Sequence, residues 1–408
     1  MKISIITNYF PPEIGAAAHL FYELAATLAA RGHLIRVITG FPRYNVQAVD
    51  PVYEGKLLWN ETIDGIEVLR VRLVPLPLYQ KIARGLDHFF MAAIFALRGL
   101  FCQPPDVLLV YSPPLTLGLS AWFLSRLQGA PFVVNAQDLF PREAVELGLL
   151  KNPTLIRFFE IMESFIYRNS DHLTVHSPGN IDHVIARGGA PGRASVAYNW
   201  VDTEFISPQI HDNEFSRRHG LTGRFIVSYA GTMGWCQDMG TIVRTAQLMQ
   251  GYPDILFLLV GEGVEKAKSQ REAEAAGLTN VKWLPLQTWE VYPQVLAASH
   301  VCMINLNENL RTPVVPSKLL NIMAAGRPVL ASMPLHGDAP RIIAEAGAGF
   351  CVEPGNPGGL AAALLRLYQD SHLREACSCN GRRYAETMFS RDRCIDRYEE
   401  IFTNLTQK

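Results

Sequence analysis

The sequence predicts an α/β protein made of two doubly wound, Rossmann-like parallel-sheet domains. Three observations carry this expectation. At 408 residues the chain exceeds what a single core organises, which favours two domains of roughly 200 residues each. Short β-branched runs alternate with helical patterns, as in parallel βαβ units with right-handed crossovers. The alternation breaks at Ala197-Tyr-Asn-Trp-Val-Asp-Thr-Glu-Phe205 and then starts again.

Taken in order, Ile3–Thr7 reads as a first strand, Ala17–Arg31 as a helix, and Ile35–Thr39, Val68–Val71 and Val107–Tyr111 as further strands. A helix over Leu117–Gln128 leads to a strand at Pro131–Asn135. The second series runs through Arg224–Tyr229, Ile255–Val260, Val281–Leu284, His300–Ile304, Val329–Ala331 and Gly349–Val352. The join is expected near 205–222, giving a first domain over 1–205, a second over 206–385 and a closing segment over 386–408.

Ligands of doubly wound domains bind at the carboxyl ends of the strands, so the loops that follow strands are the informative ones. Asn8-Tyr-Phe-Pro-Pro-Glu-Ile-Gly-Ala-Ala-Ala-His19 follows the first strand, and Ala230-Gly-Thr-Met-Gly-Trp-Cys-Gln-Asp-Met-Gly240 follows the first strand of the second series. Glycines at 15, 231 and 234 let backbone approach a phosphate or sugar with no Cβ in the way. Val260-Gly-Glu-Gly263 is a third such turn. Val314 to Leu330 says more. Pro316 suits a first helical turn, and Ser317 and Lys318 would offer amides and an ammonium to an anion. Leu319, Leu320, Ile322 and Met323 form an apolar face, and Gly326 with Pro328 stops the helix.

Composition narrows the class. With 49% hydrophobic and 18% charged residues the chain is globular, and Lys+Arg 37 against Asp+Glu 38 gives no pull toward nucleic acid. The 7 cysteines are odd in number and scattered without a CxxC pair, so reduced thiols are expected rather than disulfides or a zinc site. The start, Met-Lys-Ile-Ser-Ile-Ile-Thr, lacks the apolar core of a signal peptide, which sets a cytoplasmic expectation. The apolar run Phe89 to Phe101 falls short of the ~20 residues a membrane span needs. With Lys81, Arg84 and Arg98 around it, a helix near 81–102 is either a core helix or one lying in the interface on the inner face of the plasma membrane.

Several segments together resemble the family 4 retaining glycosyltransferases of GT-B fold over essentially the whole chain. They are Pro11-Pro-Glu-Ile-Gly15, Asn199-Trp-Val-Asp-Thr-Glu-Phe205, Tyr229-Ala-Gly231, Val260-Gly-Glu-Gly263 and Pro316 to Leu330. Phe389 to Phe402 looks like the family's final helix, which crosses back to the first domain. Phe132-Val-Val-Asn-Ala-Gln-Asp-Leu-Phe-Pro141 and Pro316-Ser-Lys318 most resemble the branch that builds O-antigen, capsule and exopolysaccharide units, including the fucosamine transferases.

The resemblance implies a first domain that binds the acceptor and a second that binds a UDP-sugar donor. The donor would meet Gly15, Gly231, Thr232, Gln237, Gly261, Gly263, Ser317, Lys318, Leu319 and Asn321, and the acceptor Glu13, His19 and Gln137. Three departures stand out. Pro313 and Asn321 occupy the places of two family glutamates, Thr232 and Gln237 those of an arginine and a lysine, and Gln137 that of a histidine. Lys318, with help from Arg311, becomes the leading counter-charge for a diphosphate, and Asp138 the ionisable group of its loop.

Retaining transfer passes through an oxocarbenium-like state, so the departing diphosphate gains charge while the sugar becomes cationic. Lys318 would hold the former. Asp138 would face the acceptor hydroxyl or the sugar, unless it caps the turn before Pro141. His19 either touches the donor or sits on a solvated helix surface, and Glu13 either binds acceptor hydroxyls or faces water. Because no Asp-x-Asp pair occurs, a metal-clamped design is not expected, and no cofactor is implied. The expected function is transfer of an N-acetylamino sugar such as N-acetyl-fucosamine to a lipid-linked glycan. The alternative, prompted by Pro313 and Asn321, is a non-catalytic nucleotide-sugar-binding subunit.

Overall fold

A computed structural model describes residues 1–13, 15–43, 50–73, 80–308 and 313–407, the side chains of 80–86 excepted. Arg311, Lys81 and Arg84 therefore lie outside the described residues or side chains. The chain divides into two compact units. The first comprises Met1–Val145, Leu150–Asn199 and Asp392–Lys408; the second comprises Glu146–Leu149 and Trp200–Arg391. The chain thus passes into the second unit after Asn199 and returns after Arg391, against the expected 205 and 385.

The first unit is an eight-stranded sheet of β1 (Lys2–Ile6), β2 (Leu34–Gly40), β3 (Leu58–Ile63), β4 (Ile66–Val71), β5 (Val107–Ser112), β6 (Phe132–Ala136), β7 (His172–Val175) and β8 (Ala194–Val196). Its spatial order is β3-β4-β2-β1-β5-β6-β7-β8. Every pairing is parallel except β3 with β4, a hairpin turned by Asp64 and Gly65, both at positive φ. β5 is buried at every position, as a central strand covered on both faces must be.

The helices of this part of the chain are α1 (Ala16–Ala30), α2 (Gln80–Leu100), α3 (Leu117–Gln128), α4 (Arg142–Glu146), α5 (Pro153–Asn169) and α6 (Ile181–Ala186). From β1 to β2 the chain steps one way along the sheet, and from β4 through β7 it steps the other way. Right-handed crossovers therefore put α2, α3 and α5 on the face opposite α1. There Met91 and Phe95 of α2, Leu117 and Leu124 of α3, and Ile166 of α5 close a core over Ile6, Leu108, Val110 and Phe132.

The second unit is an all-parallel sheet of β9 (Phe225–Ala230), β10 (Ile255–Val260), β11 (Val281–Leu284), β12 (Val301–Asn305), β13 (Val329–Ser332) and β14 (Gly349–Val352), in the order β11-β10-β9-β12-β13-β14. Its helices are α7 (Glu214–Arg218), α8 (Met239–Leu248), α9 (Lys266–Ala275), α10 (Tyr292–Ala297), α11 (Ser317–Ala324), α12 (Asp338–Ala346), α13 (Pro357–Gln369) and α14 (Ser371–Met388). The last helix, α15 (Arg391–Thr406), lies in the first unit from Asp392 onward. Its Tyr398 is buried and accepts a 2.6 Å hydrogen bond from Asn135 of β6, while Arg31 pairs with Asp396 and Glu399 at 2.8 and 2.7 Å.

The strands expected from the sequence all occur, with ends within a residue or two. β3, β7 and β8 are additions. All seven cysteines are free. Among the described residues no helix is long and apolar enough to cross a membrane.

Candidate functional site

In the second unit the loops after β9 and β10 lie side by side. Gly231 N–H donates to Val260 O at 2.8 Å, Met233 N–H to Glu262 O at 2.8 Å, and Glu265 N–H to Met233 O at 3.0 Å. Glycine is required at this contact. A Cβ on Gly261 would stand 1.9 Å from Gly231 O, and one on Gly263, at φ +151°, would stand 2.2 Å from Met233 O. Lys266, in the first turn of α9, anchors the second loop through Nζ to Gly261 O at 2.9 Å and to Glu262 at 2.6 Å. Sequence reasoning missed this lysine, although its place five residues after Gly261 was visible.

Over this pair of loops lies the start of α11. Pro316 is its N-cap with extended ψ of 136°, one position earlier than expected, and no side chain caps the helix. Gly326, at φ +61°, follows the C-cap as expected. The uncapped amides of the first turn and the positive end of the helix dipole together favour an anion.

Lys318, half-buried in that turn, reaches back across Gly231. A Cβ there would fall 2.4 Å from Lys318 Cε, so the missing side chain at 231 is what lets the lysine pass. Its Nζ donates to Tyr229 Oη at 3.1 Å and sits 4.9 Å from the centre of that ring. Tyr229, fully buried, in turn donates to Thr232 O at 2.5 Å. Among the described residues no carboxylate pairs with Lys318. Desolvation lowers its ammonium from the ordinary 10.5 to about 8. A desolvated cation without a counter-charge, beside uncapped amides, is a receptor for a diphosphate.

The other residues expected around the donor fall into two groups. Ser317 and Thr232 are exposed beside this cation. Gln237 is engaged in the turn itself, its Oε1 accepting from Gly234 N–H at 2.9 Å. Asn321, half-buried, lies close to the Tyr292 hydroxyl. Leu319 serves the fold: its side chain is wholly buried and its N–H donates to Pro316 O at 2.9 Å. Pro313, half-buried, offers no acceptor. Trp235, 62% exposed, borders a hollow of about 220 Å³ that Arg244 and Lys268 also line. A larger hollow of about 340 Å³ opens at the opposite, amino-terminal edge of the sheet, beside His211 and His300, away from Gly231, Gly261 and Gly263.

In the first unit, Asp138 follows β6 and Tyr111 lies at the end of β5, buried against the rings of Phe21 and Tyr9. Asp138 is exposed and its carboxylate caps nothing; the turn is tied instead by Glu143, which accepts from Leu139 N–H at 3.0 Å. Desolvation by the surrounding protein raises the Asp138 carboxyl above the usual aspartate range. Water reaches the residue all the same, and this weighs more, so we take Asp138 as ionised at neutral pH.

Gln137 belongs to a buried amide network. It donates to Asn135 at 2.9 Å and exchanges hydrogen bonds of 2.9 and 2.8 Å with Asn199. Its amide is therefore committed internally, at odds with an acceptor contact. Glu13 is also buried and accepts from Arg43 N–H at 3.0 Å. His19 pairs with Glu23, one turn on in α1, at 3.3 Å. Gly15 is exposed at the start of α1 with φ 175°, an extended geometry open to any residue. The structure thus brings Gly231, Gly261, Gly263, Ser317 and Lys318 together in the second unit, and leaves the Asp138 carboxylate of the first exposed.

Comparison with known proteins fits this arrangement. Residues 15–200 match the family described as Glycosyl transferase 4-like domain, and residues 212–384 that described as Glycosyl transferases group 1. WcaI of Escherichia coli (strain K12), named for colanic acid biosynthesis as a glycosyl transferase, is 25% identical over 98% of both chains. WbjE of Pseudomonas aeruginosa, named as a glycosyltransferase, is 28% identical over 69% of this chain and 71% of its own. Anabaena HepE in complex with UDP superposes with a TM-score of 0.74 at 17% identity, over 99% of this chain and 100% of its own.

Proposed function

The chain belongs to the family 4 glycosyltransferases of GT-B fold, and from that premise we propose that it moves a sugar from a UDP-sugar to a lipid-pyrophosphate-linked glycan in cell-surface polysaccharide assembly. The observation that carries the donor half is the unpaired, desolvated Lys318 beside the uncapped start of α11. The UDP bound by HepE and the biosynthetic role in the name of WcaI support the choice of donor and process.

In this reading the donor diphosphate lies against Gly231, with Lys318 as its counter-charge and the amides of Ser317 and Lys318 receiving phosphate oxygens. As the sugar–phosphate bond breaks, negative charge grows on the phosphate and these groups stabilise it more than they stabilise the ground state. They need no metal to do so. The configuration of the sugar is retained, and Asp138 meets the acceptor hydroxyl or the positive charge on the sugar. The sugar we favour is an N-acetylamino sugar such as N-acetyl-fucosamine, made over to acceptor on the cytoplasmic side.

The test is a panel of radiolabelled UDP-sugars with membrane acceptors and a chelator present. Transfer of one sugar by the wild-type protein, with a loss of at least about 100-fold in Lys318→Ala, is the expected result. No transfer from any donor, or equal transfer by the variant, would refute the proposal. Pro313 and Asn321, which stand where the family carries glutamates, favour a second reading, a nucleotide-sugar-binding subunit without turnover. Donor binding with no product across all acceptors would select it.

A further inference from the structure

The solvent side of the α2–α3–α5 layer is apolar where charge is the norm. On α2, Phe90, Leu97 and Leu100 are exposed along one stripe, and Phe101 follows at 82% exposure. On α5, Phe158, Ile161 and Phe165 repeat at i, i+3 and i+7 and are likewise exposed. Phe123 and Leu127 of α3 also stand out to solvent. The three helices meet through aromatic pairs: Phe89 and Phe158 lie 6.0 Å apart, Trp122 and Phe165 5.0 Å. The exposed side chains therefore form one face rather than scattered points.

The charges on this face have one sign. Arg126, Arg157 and Arg168 are exposed on it and Arg98 is half-buried, whereas no exposed position of these helices from Phe90 onward is acidic. Glu160, half-buried beside them, is already paired with Arg187 at 2.7 Å and Arg157 at 3.6 Å. Since none of the helices can cross a bilayer, an apolar face edged with arginines suits helices lying flat, their rings among acyl chains and their guanidinium groups at headgroup phosphates. A soluble partner of mixed charge would leave the missing carboxylates without explanation.

We propose that this three-helix face docks on an anionic phospholipid bilayer. It widens the single helix expected from the sequence to a platform of three. The inference stands on exposure and charge alone, so vesicle binding is measured without donor or acceptor and can fail or succeed independently of sugar transfer.

The experiment is sedimentation of the full-length protein with vesicles of phosphatidylcholine alone or mixed with phosphatidylglycerol, at low and high salt. Binding to the mixed vesicles, weaker by about 10-fold or more on phosphatidylcholine alone, is expected. Phe158→Glu with Ile161→Glu should lower partition at least about 10-fold. Arg157→Glu with Arg168→Glu should abolish the preference for anionic lipid. Should a variant fail to fold, brominated lipids decide on the unsubstituted surface, since they should quench tryptophan emission and Trp122→Phe should weaken the quenching. Protein left wholly in the supernatant, or partition unchanged by Phe158→Glu with Ile161→Glu, overturns the proposal. So does a dimer in solution that the same pair dissolves, because the face would then belong to a second copy.

Discussion

Lys318 is held in a way that a stable resting protein would avoid. Its ammonium is desolvated and lacks a carboxylate, which disfavours the charged form and lowers the ionisation to about 8. The sign follows directly: the cation is complete below pH 8 and lost above it, so kcat/KM for the donor should fall as pH rises through about 8. Tyr229 accepts a hydrogen bond from the charged form, so Tyr229→Phe should move that limb to lower pH without abolishing transfer. A pH profile of both proteins checks this, and an unmoved limb would detach Tyr229 from Lys318. Lys318→Met removes the buried charge and keeps the length of the chain. The ligand-free protein should gain on the order of 1–2 kcal/mol, the smaller end of the shift because the side chain is only half-buried, while losing the rise in Tm on adding UDP.

Among the elements, the paired loops after β9 and β10 are built on backbone contact, so side-chain chemistry cannot rescue them. Gly261→Ala would place a Cβ 1.9 Å from Gly231 O and must part the two turns. A loss of at least about 2 kcal/mol in denaturant unfolding is expected, together with weakened donor binding; a neutral effect would mean that the loops separate freely. These turns were legible in the sequence because glycine after a buried strand has few other uses. The ends of α11 were legible too, through Pro316 at its start and Gly326 after its C-cap. Other elements were hidden. β3 reads Leu-Trp-Asn-Glu-Thr-Ile, with alternating exposure that gives no apolar run, yet Asp64-Gly65 behind it is a strong hairpin signal that would have exposed it. β7 (His-Leu-Thr-Val) and β8 (Ala-Ser-Val) hold only two apolar residues each, against three in the equally short strands read at 281–284, 329–331 and 349–352. The engagement of Gln137 could not be read either, since its partner Asn199 is distant in sequence and meets it only through the fold.

At the scale of the whole molecule, three histidines should set its tolerance of acid. Burial chiefly lowers His172 and His300 to about 4 and His211 to about 3. All three act as neutral groups: His211 accepts from Arg327 at 2.8 Å, His300 accepts from Ile226 N–H at 3.1 Å, and His172 lies 2.8 Å from Ser195 Oγ. The unfolded chain takes up protons near pH 6.5 that the folded chain refuses. Stability is therefore full above about 6.5 and falls as pH drops toward 4. Tm recorded from pH 8 to pH 4 should decline below about 6.5, with a shallower decline for His300→Gln; a flat profile would contradict this.

The ends of the second unit adjoin one another: Val201 N–H donates to Phe389 O at 2.9 Å, and Asp202 pairs with Arg391 at 2.7 Å. The first unit, in contrast, includes most of α15, which is translated after the whole of the second unit. On the ribosome the second unit can close as soon as Trp200–Arg391 has emerged, whereas the first, begun earlier, must wait for Tyr398 to reach Asn135. A nascent chain stalled before residue 392 would thus carry a finished second unit and an unfinished first one.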